Sequence, residues 1–164
     1  VAAHMAGLQD DFSYRWLAYD QYSFSRFAET LDEAGVNVPL IQHPQGGQRK
    51  SQPPIKEIEE AKLRGLKPDD KDWPEGLWMP GSLNMLETLI LEGRIRILRN
   101  PVLISAIMSA VVLQDSLMGN RWLSKAKATN RIDPAVALLM AVGAATRRSL
   151  GSGRSVYEDD NVFM

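Results

Sequence analysis

The sequence predicts an α/β domain with a few-stranded sheet and flanking helices. Between residues 14 and 41 an aromatic-rich segment, an amphipathic segment and a β-branched segment follow one another with short connections. That is the order of a parallel strand–helix–strand crossover. From Ser82 onward, apolar residues recur in helix-length stretches, each opened by a capping residue or a cap–proline pair. A chain of 164 residues with 45% hydrophobic content is long enough for one domain with a real core. The longest apolar run, Val102 to Leu113, is far too short to cross a bilayer, so no membrane contact is expected.

In order along the chain, Val1-Ala2-Ala3-His4-Met5 reads as a non-native leader ahead of a start Met, which sets residues 1–5 apart from a domain spanning 6–148. Tyr14 to Tyr19 reads as a strand ending at Asp20. Phe24, Phe27, Ala28, Leu31 and Ala34 recur at helical spacing, with Ser23 as the expected cap and Gly35 as the stop. Val36 to Ile41 alternates like a strand, and Pro39, which has no N–H, places it at a sheet edge. Ligands of such sheets gather at the carboxyl ends of the strands, where Asp20 sits. Taken alone, Asp20 is an ordinary strand-end residue.

A long stretch from about residue 47 to 81 interrupts this pattern. It holds a polar turn region, a short charged helix from Ile55 to Arg64, and a loop from Leu66 to Gly81 carrying Trp73 and Trp78. A tryptophan pinning a loop to its own domain is the more common case than one contacting a partner. Ser82 then caps an apolar helix that stops at Gly93, and Arg94 to Leu98 alternates. Asn100-Pro101 opens another helix through Val111. Val111 to Gln114 can instead be one arm of a hairpin that turns at Met118-Gly119-Asn120 and returns through Arg121-Trp122-Leu123. The last helix runs from Pro134 to about Arg147, and 149–164 form a tail in which Ser155-Val156-Tyr157-Glu158 is suited to docking back.

Chemistry is narrowed mainly by what is scarce. There is no Cys, which removes disulfides, thiolate zinc sites and cysteine nucleophiles. His43 is the one histidine outside the leader, which argues against a histidine triad or a histidine-rich metal site, so catalysis must rest on carboxylates. The net charge of −1 means that any nucleic-acid contact must use a local patch. One such patch is Lys125 to Arg131, which runs into Ile132-Asp133-Pro134 and an Ala-rich helix. An Asp followed by Pro marks a helix start and by itself nothing more. Capping leaves unexplained why this carboxylate stands beside Lys125, Lys127 and Arg131.

The order of several motifs resembles a known family. Ala18-Tyr19-Asp20 at a strand end is followed by an amphipathic helix, Gln45-Gly46, Leu89 to Ile95, Asn100-Pro101-Val102-Leu103, Lys125 to Arg131, Arg131-Ile132-Asp133 and Ser155 to Glu158. This series is similar to the C-terminal nuclease domain of the large terminase subunit of tailed double-stranded DNA phages, over about Tyr14 to Glu158. The resemblance implies an RNase H-like nuclease domain that cuts concatemeric viral DNA during packaging. It implies an acidic cluster holding two Mg²⁺ or Mn²⁺ ions, with Asp20 and Asp133 as catalytic and metal-binding acids. Lys125, Lys127 and Arg131 would then hold DNA phosphates. Portal protein and the small terminase subunit are the implied protein partners, and the host cytoplasm is the implied location.

The chain also departs from the family pattern. The family's first acid lies on a strand upstream of everything here, and Asp10 and Asp11 do not replace it. No Gly-x-x-x-x-Gly-Lys-Ser/Thr motor motif occurs. The expectation is therefore a domain truncated on its N-terminal side, inactive by itself, from a protein that is an endonuclease when intact. A sheet without its opening strands could self-associate through an exposed edge. Two other readings stand beside this one: a non-catalytic docking module for portal or a partner subunit, and an RNase H-like resolvase or transposase, against which the tail and Asn100-Pro101 argue.

Overall fold

The computed structural model describes residues 1–9, 11–22, 24–47 and 50–148. The expected cap Ser23, the position of Asp10 and the segment Ser155 to Glu158 lie outside the described residues. The elements are α1 (Ala2–Leu8), β1 (Leu17–Tyr19), α2 (Phe24–Glu33), β2 (Leu40–Gln42), α3 (Ile55–Leu63), α4 (Met79–Leu91), α5 (Pro101–Ser109), β3 (Val112–Gln114), β4 (Arg121–Leu123) and α6 (Asp133–Thr146).

β1, α2 and β2 form the expected crossover, with β1 and β2 parallel and Leu17, Ala18 and Tyr19 opposite Leu40, Ile41 and Gln42. The Leu17 N–H donates to the Pro39 carbonyl and the His43 N–H to the Tyr19 carbonyl, both at 2.8 Å. Pro39 therefore gives the ladder only its carbonyl, and its missing donor breaks no bond. Both strands are shorter than their sequence patterns. Val36 and Val38 are buried against Leu31 and Ala2 instead of continuing β2. Tyr14 leaves β1 to donate its hydroxyl to the Met5 carbonyl at 3.0 Å. Residues 2–8, which overlap the stretch read as a leader, thus form a helix packed on α2.

The second half is built around α6, which packs on α4, α5 and β1. Met79, Leu123, Ile132, Val136 and Leu139 form the main core cluster. Ala-rich α6 lets its neighbours approach closely. At Gly143 a Cβ would collide with the Ser82 hydroxyl of α4. Ser82 is not the helix cap predicted from sequence. α4 begins at Met79, and Ser82 lies buried inside it because its hydroxyl is needed against His43. Trp78 precedes α4, and its indole covers Gly81, where a side chain would not fit. That is the loop-pinning role expected of Trp78.

Asn100 caps α5 as predicted, its side chain accepting from Val102 N–H at 2.9 Å and Leu103 N–H at 3.2 Å. The helix stops at Ser109, and the hairpin reading then holds: β3 and β4 pair antiparallel around a turn with Gly119 at φ 69°. Arg94 to Leu98 forms no strand. The described strands make two separate two-stranded sheets rather than one sheet, because the hairpin packs on α4 while β1 packs on α6. Arg147, just past α6, ties this half to α3. Its guanidinium binds both oxygens of Glu57 and lies 4.1 Å over the Trp16 ring, and the two side chains are 2% and 12% exposed.

Candidate active site

The carboxyl end of β1 delivers Asp20 to the rim of a 610 Å³ cleft. Its other walls come from Gln21, Gln42, the Gln45-Gly46-Gly47 turn, Lys50 and Trp122. Each has a local reason to be there. β1 and β2 are parallel, so both end on the same side, and the chain after β2 must turn away at Pro44 to Gly47. At Gly47 a Cβ would run into the Trp122 ring, so glycine is what lets this turn close against the hairpin. Asp20 is exposed, and its Oδ1 takes one long 3.5 Å hydrogen bond from the Tyr22 N–H. Its carboxylate is therefore largely free of structural duties.

The cleft floor is held from behind by a buried polar joint. His43, directly after β2, has no exposed surface. Its Nδ1 lies 3.2 Å from the Pro44 carbonyl, which can only accept, so Nδ1 carries the proton. Its Nε2 accepts from the Ser82 hydroxyl at 2.8 Å. Burial pushes the imidazole below its ordinary pKa, against weaker opposing effects that include the field of Asp20. The Gln45 amide donates to the His43 carbonyl at 3.1 Å and lies 3.3 Å from the Met140 sulfur of α6. Gln45 Oε1 is buried with no partner among the described residues. The amide cannot be flipped to relieve this, because oxygen would then face the His43 carbonyl.

Asp133 is not among the residues lining the cleft. It occupies the first turn of α6, with Ile132 as the N-cap, and no side-chain capping bond forms there. The simple capping reading is thereby corrected. The carboxylate instead pairs with Lys125 Nζ at 2.7 Å, and both side chains are more than half exposed. The hydrogen bond from Lys125 and its charge, with a smaller contribution from Arg131, hold the Asp133 carboxyl below its ordinary pKa. Two of the three cations predicted from sequence therefore act on Asp133. Lys127 enters this loop through its backbone N–H, which donates to Ser124 Oγ at 3.3 Å.

Among the described residues, no three His, Asp or Glu side chains group closely enough to hold a metal ion. Asp20 and Asp133 are the right kind of donor, hard carboxylate oxygens that the fold has not buried or consumed. They suit a divalent cation in chemistry, while the described residues do not supply a complete ligand set. Sequence reasoning missed Lys50, Gln42 and Trp122 as neighbours of Asp20. Only the Gln45-Gly46 pair in the motif series pointed to this part of the cleft.

Residues 77–149 match the family model for the endonuclease domain of the terminase large subunit. The chain is 32% identical over 163 residues to the terminase large subunit of Enterobacteria phage HK97, covering 99% of this chain and 26% of that protein. It is also similar to the crystal structure of the HK97 bacteriophage large terminase, with a TM-score of 0.64 and 31% identity over 87% of this chain and 24% of that one. The chain thus spans about a quarter of the length of the relative it matches. No described helix is long and apolar enough to cross a membrane.

Proposed function

We propose that the chain, which is similar to terminase large subunits in the part that carries their nuclease domain, is the RNase H-like portion of an endonuclease acting on concatemeric double-stranded DNA during phage packaging. The observation that carries this reading is Asp20, an exposed carboxylate at the carboxyl end of a parallel strand, opening onto a cleft that Lys50 and Trp122 also line. Asp133 is the second acid. Lys125 and Arg131 hold its carboxyl below its ordinary pKa, and its oxygens are exposed.

In this reading Asp20 and Asp133 contribute oxygen ligands to Mg²⁺ or Mn²⁺, joined by an acid from elsewhere in the intact protein. The bound metals would supply charge neutralisation at the phosphodiester. Lys125 is well placed to exchange its carboxylate partner for a DNA phosphate, with Lys127 and Arg131 extending the basic surface. Portal protein and the small subunit remain the proposed partners, in the host cytoplasm. The 164-residue chain alone is expected not to cut.

The test is plasmid nicking with Mn²⁺ or Mg²⁺ by the intact subunit and its Asp20→Asn and Asp133→Asn variants. Loss of cleavage with retained folding supports the proposal. A folded Asp133→Asn protein that cuts at the unmodified rate refutes the site. A docking-module reading draws on a different observation. Ile104, Ile107 and Met108 form an exposed apolar face on α5 where a lone domain would be polar. Unchanged portal binding after Ile107→Lys would count against that reading.

A further inference from the structure

The cleft beside Asp20 holds side chains that phosphodiester chemistry does not use. Of the described residues lining it, only Asp20 and Lys50 are charged. Gln21, Gln42, Gln45 and Gln52 contribute carboxamides, and Trp122 contributes an indole. A wall that only tracked phosphates would be basic. A carboxamide is neutral and carries a donor and an acceptor side by side, the combination that reads the hydrogen-bonding edge of a base. An indole adds the kind of surface on which unpaired bases stack.

Two of the carboxamides are already arranged. Gln42, the last residue of β2, donates from Nε2 to Gln21 Oε1 at 2.9 Å, across the carboxyl ends of the paired strands. That bond leaves Gln42 Oε1 as an acceptor and Gln21 Nε2 as a donor, and neither has another partner among the described residues. Exchanging N and O in both amides still leaves one of each, so the pair offers a donor beside an acceptor in either assignment. Gln45 is spent on the His43 carbonyl, which fixes the turn behind them. The half-buried Trp122 ring packs on the core cluster and against Gly47, so it joins the cleft wall in a fixed position. Lys50 is half exposed and pairs with Glu75 only at 3.9 Å, a contact weak enough to give way to a phosphate.

We propose that this cleft holds one unpaired nucleotide, with its base against Trp122, its edge on the Gln21–Gln42 pair and its phosphate toward Lys50. The inference rests on the nuclease reading and adds to it the form of the DNA. In a duplex the base edges are paired and the faces stacked, so a base enters only from a single-stranded or locally opened site. A nucleotide held there lies next to Asp20, so base binding positions the strand at the acid.

Binding by the 164-residue chain, measured by fluorescence anisotropy without divalent metal, tests this. The probes are a short oligothymidylate and an abasic oligomer of the same length and charge. Oligothymidylate is expected to bind at least about fivefold tighter, the lower end of what one stacked base contributes. Trp122→Ala should remove that difference while leaving abasic binding unchanged, and Trp122→Phe should restore part of it. Because Trp122 also packs on the core, a second variant, Gln21→Ala with Gln42→Ala, leaves the core untouched and should narrow the same difference. Equal affinity for the two strands, or no binding to either, overturns the proposal. So does a Trp122→Ala loss of equal size on both strands with the fold retained, which would give the indole a purely structural part. The nuclease reading fails on a separate result, cleavage by the intact subunit that survives Asp20→Asn.

Discussion

Replacing Ser82 with Ala removes one hydroxyl from the joint behind the cleft. His43 is fully buried, and its Nε2 accepts only that hydroxyl, at 2.8 Å. After the substitution the nitrogen loses its one side-chain donor. Leaving a buried acceptor unpaired costs about 1–3 kcal/mol. For a chain of this size, that corresponds to a melting temperature lower by about 2–12 °C. The assay is thermal and urea unfolding at pH 7.5, far enough above the His43 titration for the ring to be neutral in both states. The Gly143 contact gives an internal control. Gly143→Ala drives a Cβ into the Ser82 hydroxyl and should destabilise by about 1–3 kcal/mol alone. It should cost clearly less in the Ser82→Ala background, because the colliding atom is gone. A Ser82→Ala change below about 0.5 kcal/mol, or strictly additive effects at the two positions, would refute this account.

The same histidine sets an acid limit. Burial lowers its folded pKa below the ordinary 6.5, so the unfolded chain binds the proton more readily. Its contribution is intact above about pH 6.5 and falls as the pH drops below that value, by up to about 1.4 kcal/mol per pH unit until the folded ring titrates. Melts between pH 7.5 and 5 that show no loss attributable to His43, judged against His43→Gln, would contradict this. Glu57→Gln leaves Arg147 buried without its counter-ion and should cost about 3–5 kcal/mol in urea unfolding, whereas a loss under 1 would mean that the guanidinium finds other partners. In Lys125→Met the Asp133 carboxyl should rise toward its ordinary pKa by ¹³C NMR titration, and the salt dependence of DNA binding by the intact subunit should weaken by about one phosphate contact. An unshifted carboxyl would separate Lys125 from Asp133 in solution.

Much of the local structure was legible before any coordinates. Periodicity placed α2, α3, α5 and α6 within a few residues, because their apolar stripes and end signals agree with one another. The strands were overestimated for a specific reason. Val36 and Val38 alternate as a strand would, yet the same two side chains are claimed by Leu31 and Ala2. Ser82 was misread as a cap because a serine before an apolar run is a local signal, whereas its hydroxyl is committed to a histidine 39 positions away.

By itself the sequence carried the resemblance to terminase nuclease domains, through motif order, and it determined which chemistry is available, through the absence of cysteine and the scarcity of histidine. It also determined that Asp20 ends a strand and that Asp133 stands at the start of a helix. Tertiary structure alone decided what surrounds them. Asp20 received Gln42, Lys50 and Trp122 because parallel pairing brings two strand ends together and glycine at position 47 lets the hairpin close on them. Asp133 received Lys125 because the loop before α6 folds back over its first turn. The physical reason for the division is range. Periodicity, capping and turn chemistry act within a few residues, while a cleft and its electrostatics depend on groups that only packing brings within a few ångströms.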